Sequence, residues 1–166
     1  WREKWGADLI VGLPRRTYVG VGQAARNVGL SVVWRDELWA GWYQIHGTPI
    51  WDSARRFRAG MYSEVPHGAL VCVSFQISKH LPIGRGGAIL TDSAETAAWL
   101  RRARFDGRTA GDNTAPIQLP GWHMYLSPPE AARGLWLLSW LPQQNDDLPV
   151  DDYPDLSLIF SAMTAP

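Results

Sequence analysis

From Leu70 to Asp92 the chain places two apolar strands in succession around a turn that no helix can cross. Leu70-Val-Cys-Val-Ser-Phe75 and Ala88-Ile-Leu-Thr91 are short and almost free of charge. Such runs suit strands that are covered on both faces of a sheet. Pro82 and the glycines Gly84, Gly86 and Gly87 separate them. Proline stops a helix there, and the glycines supply the backbone freedom for a tight turn that re-enters the sheet at Ala88. Inside the turn stands Lys79, flanked by Ile77, Leu81 and Ile83. Most isolated lysines are solvated surface groups. A lysine among apolar neighbours is poorly solvated, and that suits an amine that must lose its proton and react.

The rest of the chain extends the same alternation. Asp8-Leu-Ile-Val-Gly12 reads as a buried strand closed by Gly12 and Pro14, and Thr17 as the N-cap of a helix that reaches about Asn27 and ends at Gly29. Ser31-Val-Val-Trp-Arg35 is a second strand, and residues 36–48, rich in Trp, Tyr and Gly, read as an irregular loop. Pro49-Ile-Trp-Asp52 is a short strand with Asp52 at its carboxyl end. Asp92 or Ser93 caps a helix through Arg104, and residues 105–120 form a polar loop. Ser127 caps a helix from Pro128 to about Leu141, with proline at its first position. From Pro142 onward, prolines and aspartates predict an irregular tail, or a strip that packs against something outside the chain. The order of elements predicts an α/β fold with a mostly parallel sheet covered by helices.

Composition narrows the function classes. The chain has 166 residues, enough for one good core. Its 16 basic and 16 acidic residues leave no electrostatic footprint for nucleic acid or an anionic membrane. No apolar run approaches the roughly 20 residues of a membrane span. One cysteine, Cys72, excludes a disulfide framework. His46, His67, His80 and His123 are scattered without ligand spacing, so no metal is expected. No Gly-x-Ser-x-Gly elbow occurs. These features predict a soluble cytoplasmic enzyme, and the start at Trp1 predicts a piece of a longer protein. The 10 tryptophans serve either as core fillers or as contacts for a partner.

The stretch from Ser74 to Gly87 fills every fixed position of Ser-Phe-x-x-x-Lys-x-Leu-x-x-Gly-x-Gly-Gly. It resembles the cofactor-lysine segment of the DegT/DnrJ/EryC1/StrS aminotransferases, pyridoxal-phosphate (PLP) enzymes that aminate keto-sugars. The resemblance implies a partial fold-type-I large domain over residues 1–141, an irregular tail over 142–166 and no small domain. It implies that Lys79 forms the Schiff base with PLP and shuttles a proton. It also implies that Asp52 pairs with the ring nitrogen and that Ser74 helps to hold the phosphate. Arg55 stands where the family often carries Gln or His near the ring. Arg85 replaces a usual acid and is a candidate for an anionic substrate group. Arg101 to Arg108 is similar to a segment that ends in His-Gly-Arg. Gly121-Trp-His-Met-Tyr is similar to Gly-Tyr-Asn-Tyr-Arg, which puts His123 where an asparagine reaches a neighbouring subunit's phosphate and implies a homodimer. The upstream Gly-Thr-Ser phosphate loop is missing, and residues 37–51 replace a longer crossover. The implied reaction moves an amino group from an amino-acid donor, glutamate above all, to a nucleotide-linked keto-sugar.

Two other readings compete. A non-catalytic aminotransferase-like binding or assembly module would tolerate loss of Lys79. Alternatively, Gly20-Val-Gly-Gln-Ala-Ala25 and Asp36 match parts of a dinucleotide fingerprint. Arg15-Arg16-Thr17 interrupts the strand it needs, and the acid falls short of the roughly 20-residue offset.

Overall fold

The computed structural model describes residues 9–150 and 152–163. Its first unit is β1 (Ile10–Pro14), α1 (Val19–Asn27) and β2 (Ser31–Arg35), with β1 and β2 parallel in a register that pairs Ile10 with Ser31 and Pro14 with Arg35. Val11, Leu13 and Ala25 bury the inner face of this unit, joined by Tyr43. The start of the expected first strand, Asp8, lies outside the described residues. Gly12 does not close the strand. It sits inside it because His46 approaches so closely that a Cβ at Gly12 would lie 2.9 Å from the His46 Cβ. The two backbones exchange hydrogen bonds there, each of 3.0 Å.

A second sheet has the order β3 (Tyr43–Gln44), β4 (Ile50–Asp52), β5 (Leu70–Ser74) and β6 (Gly87–Leu90). Parallel pairing joins β4 to β5, and antiparallel strands flank them on both sides. Val71, Val73, Phe75, Leu81, Ile83 and Met61 form the core beneath it. Burying an aliphatic side chain of this size contributes about 1.5–3 kcal/mol each. The short β3 lies within the stretch expected to be loop, since two residues are too few to show a period of two.

Helix α2 (Ala94–Ala103) begins at Ser93, whose hydroxyl accepts from the Thr96 amide at 3.1 Å. Helix α3 (Pro128–Trp140) opens with a full capping box between Ser127 and Glu130. Helix α1 differs from expectation. Its N-cap is Tyr18 with no side-chain cap, because the Thr17 hydroxyl turns inward to Tyr43. Gly29, at φ 80°, ends it as expected.

The tail is not wholly irregular. Residues 142–150 lack regular structure, but α4 (Leu156–Ala162) follows, capped by Asp155. Leu156 and Phe160 bury one face of α4, and the Phe160 ring lies 5.1 Å from Trp34 of β2. Asp151 and residues 164–166 of the expected tail lie outside the described residues. Trp34, Trp39, Trp42 and Trp51 pack against the two cores, whereas Trp122, Trp136 and Trp140 are exposed. Among the described residues, no helix is long and apolar enough to cross a membrane.

Candidate active site

Strand register builds the site. Tyr43 pairs with Asp52, and Asp52 with Cys72, so the three side chains form a row on one face of the second sheet. Ser74 follows Cys72 on that face, at the carboxyl end of β5. Val71 and Val73 point the other way, into the core. Asp52 therefore stands at the carboxyl end of β4 and Ser74 at that of β5, the sheet edge at which open α/β folds bind ligands.

Asp52 is largely withdrawn from water, and burial raises its carboxyl above the ordinary carboxylate range. Three groups oppose that rise. The Ala54 amide donates to Oδ1 at 2.9 Å, the Tyr43 hydroxyl donates to Oδ2 at 3.0 Å, and the positive charge of Lys79 favours the anion. Burial and the Asp52 charge hold the Cys72 thiol up to about 11, so it stays neutral.

Lys79 follows β5 in a tight turn whose amide bonds back to the Gln76 carbonyl at 2.9 Å. Its ammonium is half-buried. Desolvation and the nearby Arg55 charge both lower its pKa, against an opposing pull from Asp52. Among the described residues, no acceptor lies within hydrogen-bonding distance of its Nζ. The turn continues through Gly84 and Gly86, at φ 130° and 92°, which other residues rarely adopt. At Gly87 a Cβ would lie 2.2 Å from the Val73 carbonyl oxygen, so glycine is required for β6 to pair there.

Arg55 is buried, and its Nη2 donates to the Tyr153 hydroxyl at 3.0 Å beneath the same ring. The Ser74 hydroxyl accepts a long 3.4 Å bond from the Gln76 amide, leaving its proton for another acceptor. His123 is 70% exposed and lies apart from this group. It bridges to Phe105, and its Nδ1 is 3.2 Å from the Asp106 carboxylate. Arg85 is exposed and faces Glu130 at 3.3 Å, so its own chain already supplies an anion. Gly20 and Gly22 lie within α1 rather than at a strand-to-helix turn, so the dinucleotide geometry is absent there.

Residues 58–147, more than half of the chain, match the DegT/DnrJ/EryC1/StrS aminotransferase family. The chain belongs to this family. The match spans Ser74, Lys79 and His123 but begins after Asp52 and Arg55. No curated protein matches. Among solved structures it is similar to the sugar aminotransferase CalS13 from Micromonospora echinospora, at 16% identity and a TM-score of 0.62, over 82% of this chain and 50% of that one. AtS13 from Actinomadura melliaura gives 17% identity and 0.62 over 80% and 49%. A 3-amino-5-hydroxybenzoic acid synthase gives 18% and 0.61 over 84% and 48%. The chain thus spans about half the length of these structures. Its fold is that of part of a fold-type-I aminotransferase large domain.

In this family member the donor types fit three parts of PLP. A half-buried amine with no hydrogen-bond partner among the described residues suits the aldehyde end, and a buried carboxylate suits the ring nitrogen. The Ser74 hydroxyl, which donates no bond among the described residues, suits the phosphate. No local pattern marks Tyr43 or the bond that Thr17 makes to it. Tyr43 sits in a two-residue strand, and Thr17 stands where a helix cap is expected.

Proposed function

We propose that this chain carries the lysine-bearing part of a PLP-dependent aminotransferase. The enzyme would transfer an amino group from an amino-acid donor, with glutamate the expected one, to a nucleotide-linked keto-sugar. The observation that supports this most is the Lys79 amine, without a hydrogen bond among the described residues and within electrostatic reach of Asp52. PLP, when bound, supplies the electron sink that weakens bonds at the amino-bearing carbon. Lys79 would hold the cofactor and carry a proton to and from that carbon. Arg55 and desolvation favour the neutral amine this requires. Asp52 would keep the ring nitrogen protonated, and Ser74 would donate to the phosphate. His123, on an exposed edge, would serve the phosphate of a neighbouring copy in a homodimer, and the enzyme would work in the cytoplasm.

The test compares PLP retention after gel filtration. Asp52→Ala should lose cofactor at least tenfold more readily, the scale of removing a hydrogen bond to a charged group. Asp112→Ala, which removes an acid of an exposed loop, should match the parent. Equal retention by both variants would count against the assignment.

A further inference from the structure

The Asp52 carboxylate accepts from Tyr43, and Tyr43 does not act alone. Its Oη lies 3.0 Å from Asp52 Oδ2 and 2.9 Å from the Thr17 hydroxyl. Thr17 is 1% exposed and Tyr43 5%. Chemistry fixes the direction of this chain. An ionised carboxylate only accepts, so the Tyr43 proton must point to Asp52 and the Thr17 proton to Tyr43. Protonating Asp52 on Oδ2 would reverse both bonds. The buried Thr17 proton would then need another acceptor, and no second side-chain bond of Thr17 occurs among the described residues. An unmet buried donor is costly, so the chain of hydroxyls favours the anion.

We propose that Tyr43 and Thr17 are positioning residues for Asp52: two buried hydroxyls, aligned one way, that fix its carboxylate and keep it ionised toward the cofactor ring nitrogen. The proposal rests on the reading of Asp52 given above. The arrangement crosses three elements. Thr17 comes from the link between β1 and α1, Tyr43 from β3 and Asp52 from β4. The other titratable or charged groups that face Asp52 are Lys79 after β5 and Cys72 on β5, while Arg55 on the loop after β4 acts on Lys79. Tyr153 of the tail acts on Tyr43. Burial and the neighbouring Asp52 charge both raise the Tyr43 phenol, so it remains a donor throughout the working range.

The test reads the Asp52 carboxyl directly, without cofactor. Isotope-edited infrared spectra of labelled aspartate, assigned by their loss in Asp52→Asn, give its titration midpoint. Tyr43→Phe keeps the ring against Trp39 and should raise the midpoint. Thr17→Val keeps the shape and should raise it less, while Thr17→Ser should restore the parent value. PLP affinity should fall on the order of tenfold in Tyr43→Phe. Unchanged midpoints in Tyr43→Phe and Thr17→Val would overturn the proposal. If the parent binds no PLP but the midpoints still shift, the aminotransferase reading falls and the hydroxyl chain stands. If the parent binds PLP and neither variant shifts, the hydroxyl chain alone falls.

Discussion

At Asp52 the fold holds a carboxyl above its ordinary pKa, and stability must register that. Burial is the largest cause, and the Ala54 amide, Tyr43 hydroxyl and Lys79 charge offset part of it. Between the ordinary and the raised value, the native state binds more protons than the unfolded chain. Stability therefore falls as pH rises through that window, and the whole penalty is present above it. Asp52→Asn removes the charge, so the variant should melt at a higher temperature than the parent at neutral pH. The gap should narrow as pH drops below the ordinary carboxylate range. Thermal unfolding across a pH series checks this, and a gap independent of pH would show that the buried charge is not the cause. Lys79, Asp52 and Ser74 were legible in the sequence because their residue types sit in a local pattern tied to strand ends. Tyr43 and Thr17 were not, since their meeting with Asp52 depends on strand pairing that no local spacing records.

Elements with complete local signals formed where the sequence placed them. Helix α3 has serine, proline and glutamate in capping order. The Ser127 hydroxyl and Glu130 carboxylate each bond the other's backbone amide, at 3.4 and 3.0 Å. Ser127→Ala should cost about 1 kcal/mol of stability, and Ser127→Thr should recover most of it in chemical denaturation. A neutral alanine variant would mean that the helix start is held by Pro128 and tertiary packing alone. Helix α4 escaped notice for the opposite reason. It has seven residues among prolines and aspartates, and it is fixed by Phe160 against Trp34 rather than by propensity. Helix α1 begins after its expected cap because Thr17 bonds Tyr43 instead, a tertiary contact that overrides a local preference.

Over the whole molecule, the alternation of strands and helices disclosed the α/β class, while the path of the tail stayed hidden. After α3 the chain returns along the loop that follows Asp52. The Ala59 amide donates to the Gln143 carbonyl at 2.7 Å, and the Leu148 amide to the Arg55 carbonyl at 2.9 Å. Arg56 lies over the Trp42 ring and grips Asp147, with Nε 2.8 Å from Oδ1. His80, next to Lys79, meets the Asp146 carbonyl at 2.9 Å. Late sequence thus packs along the loop after β4 and against His80, and pairs so distant leave no periodic trace. In the proposed enzyme, Lys79 is the amine that bonds the cofactor aldehyde. Incubation with PLP, borohydride reduction and peptide mapping test it most directly. Pyridoxyl label is expected on the peptide that contains Lys79 and none in Lys79→Ala. Label found instead on Lys4 or the N-terminal amine, or persisting undiminished in Lys79→Ala, would contradict it.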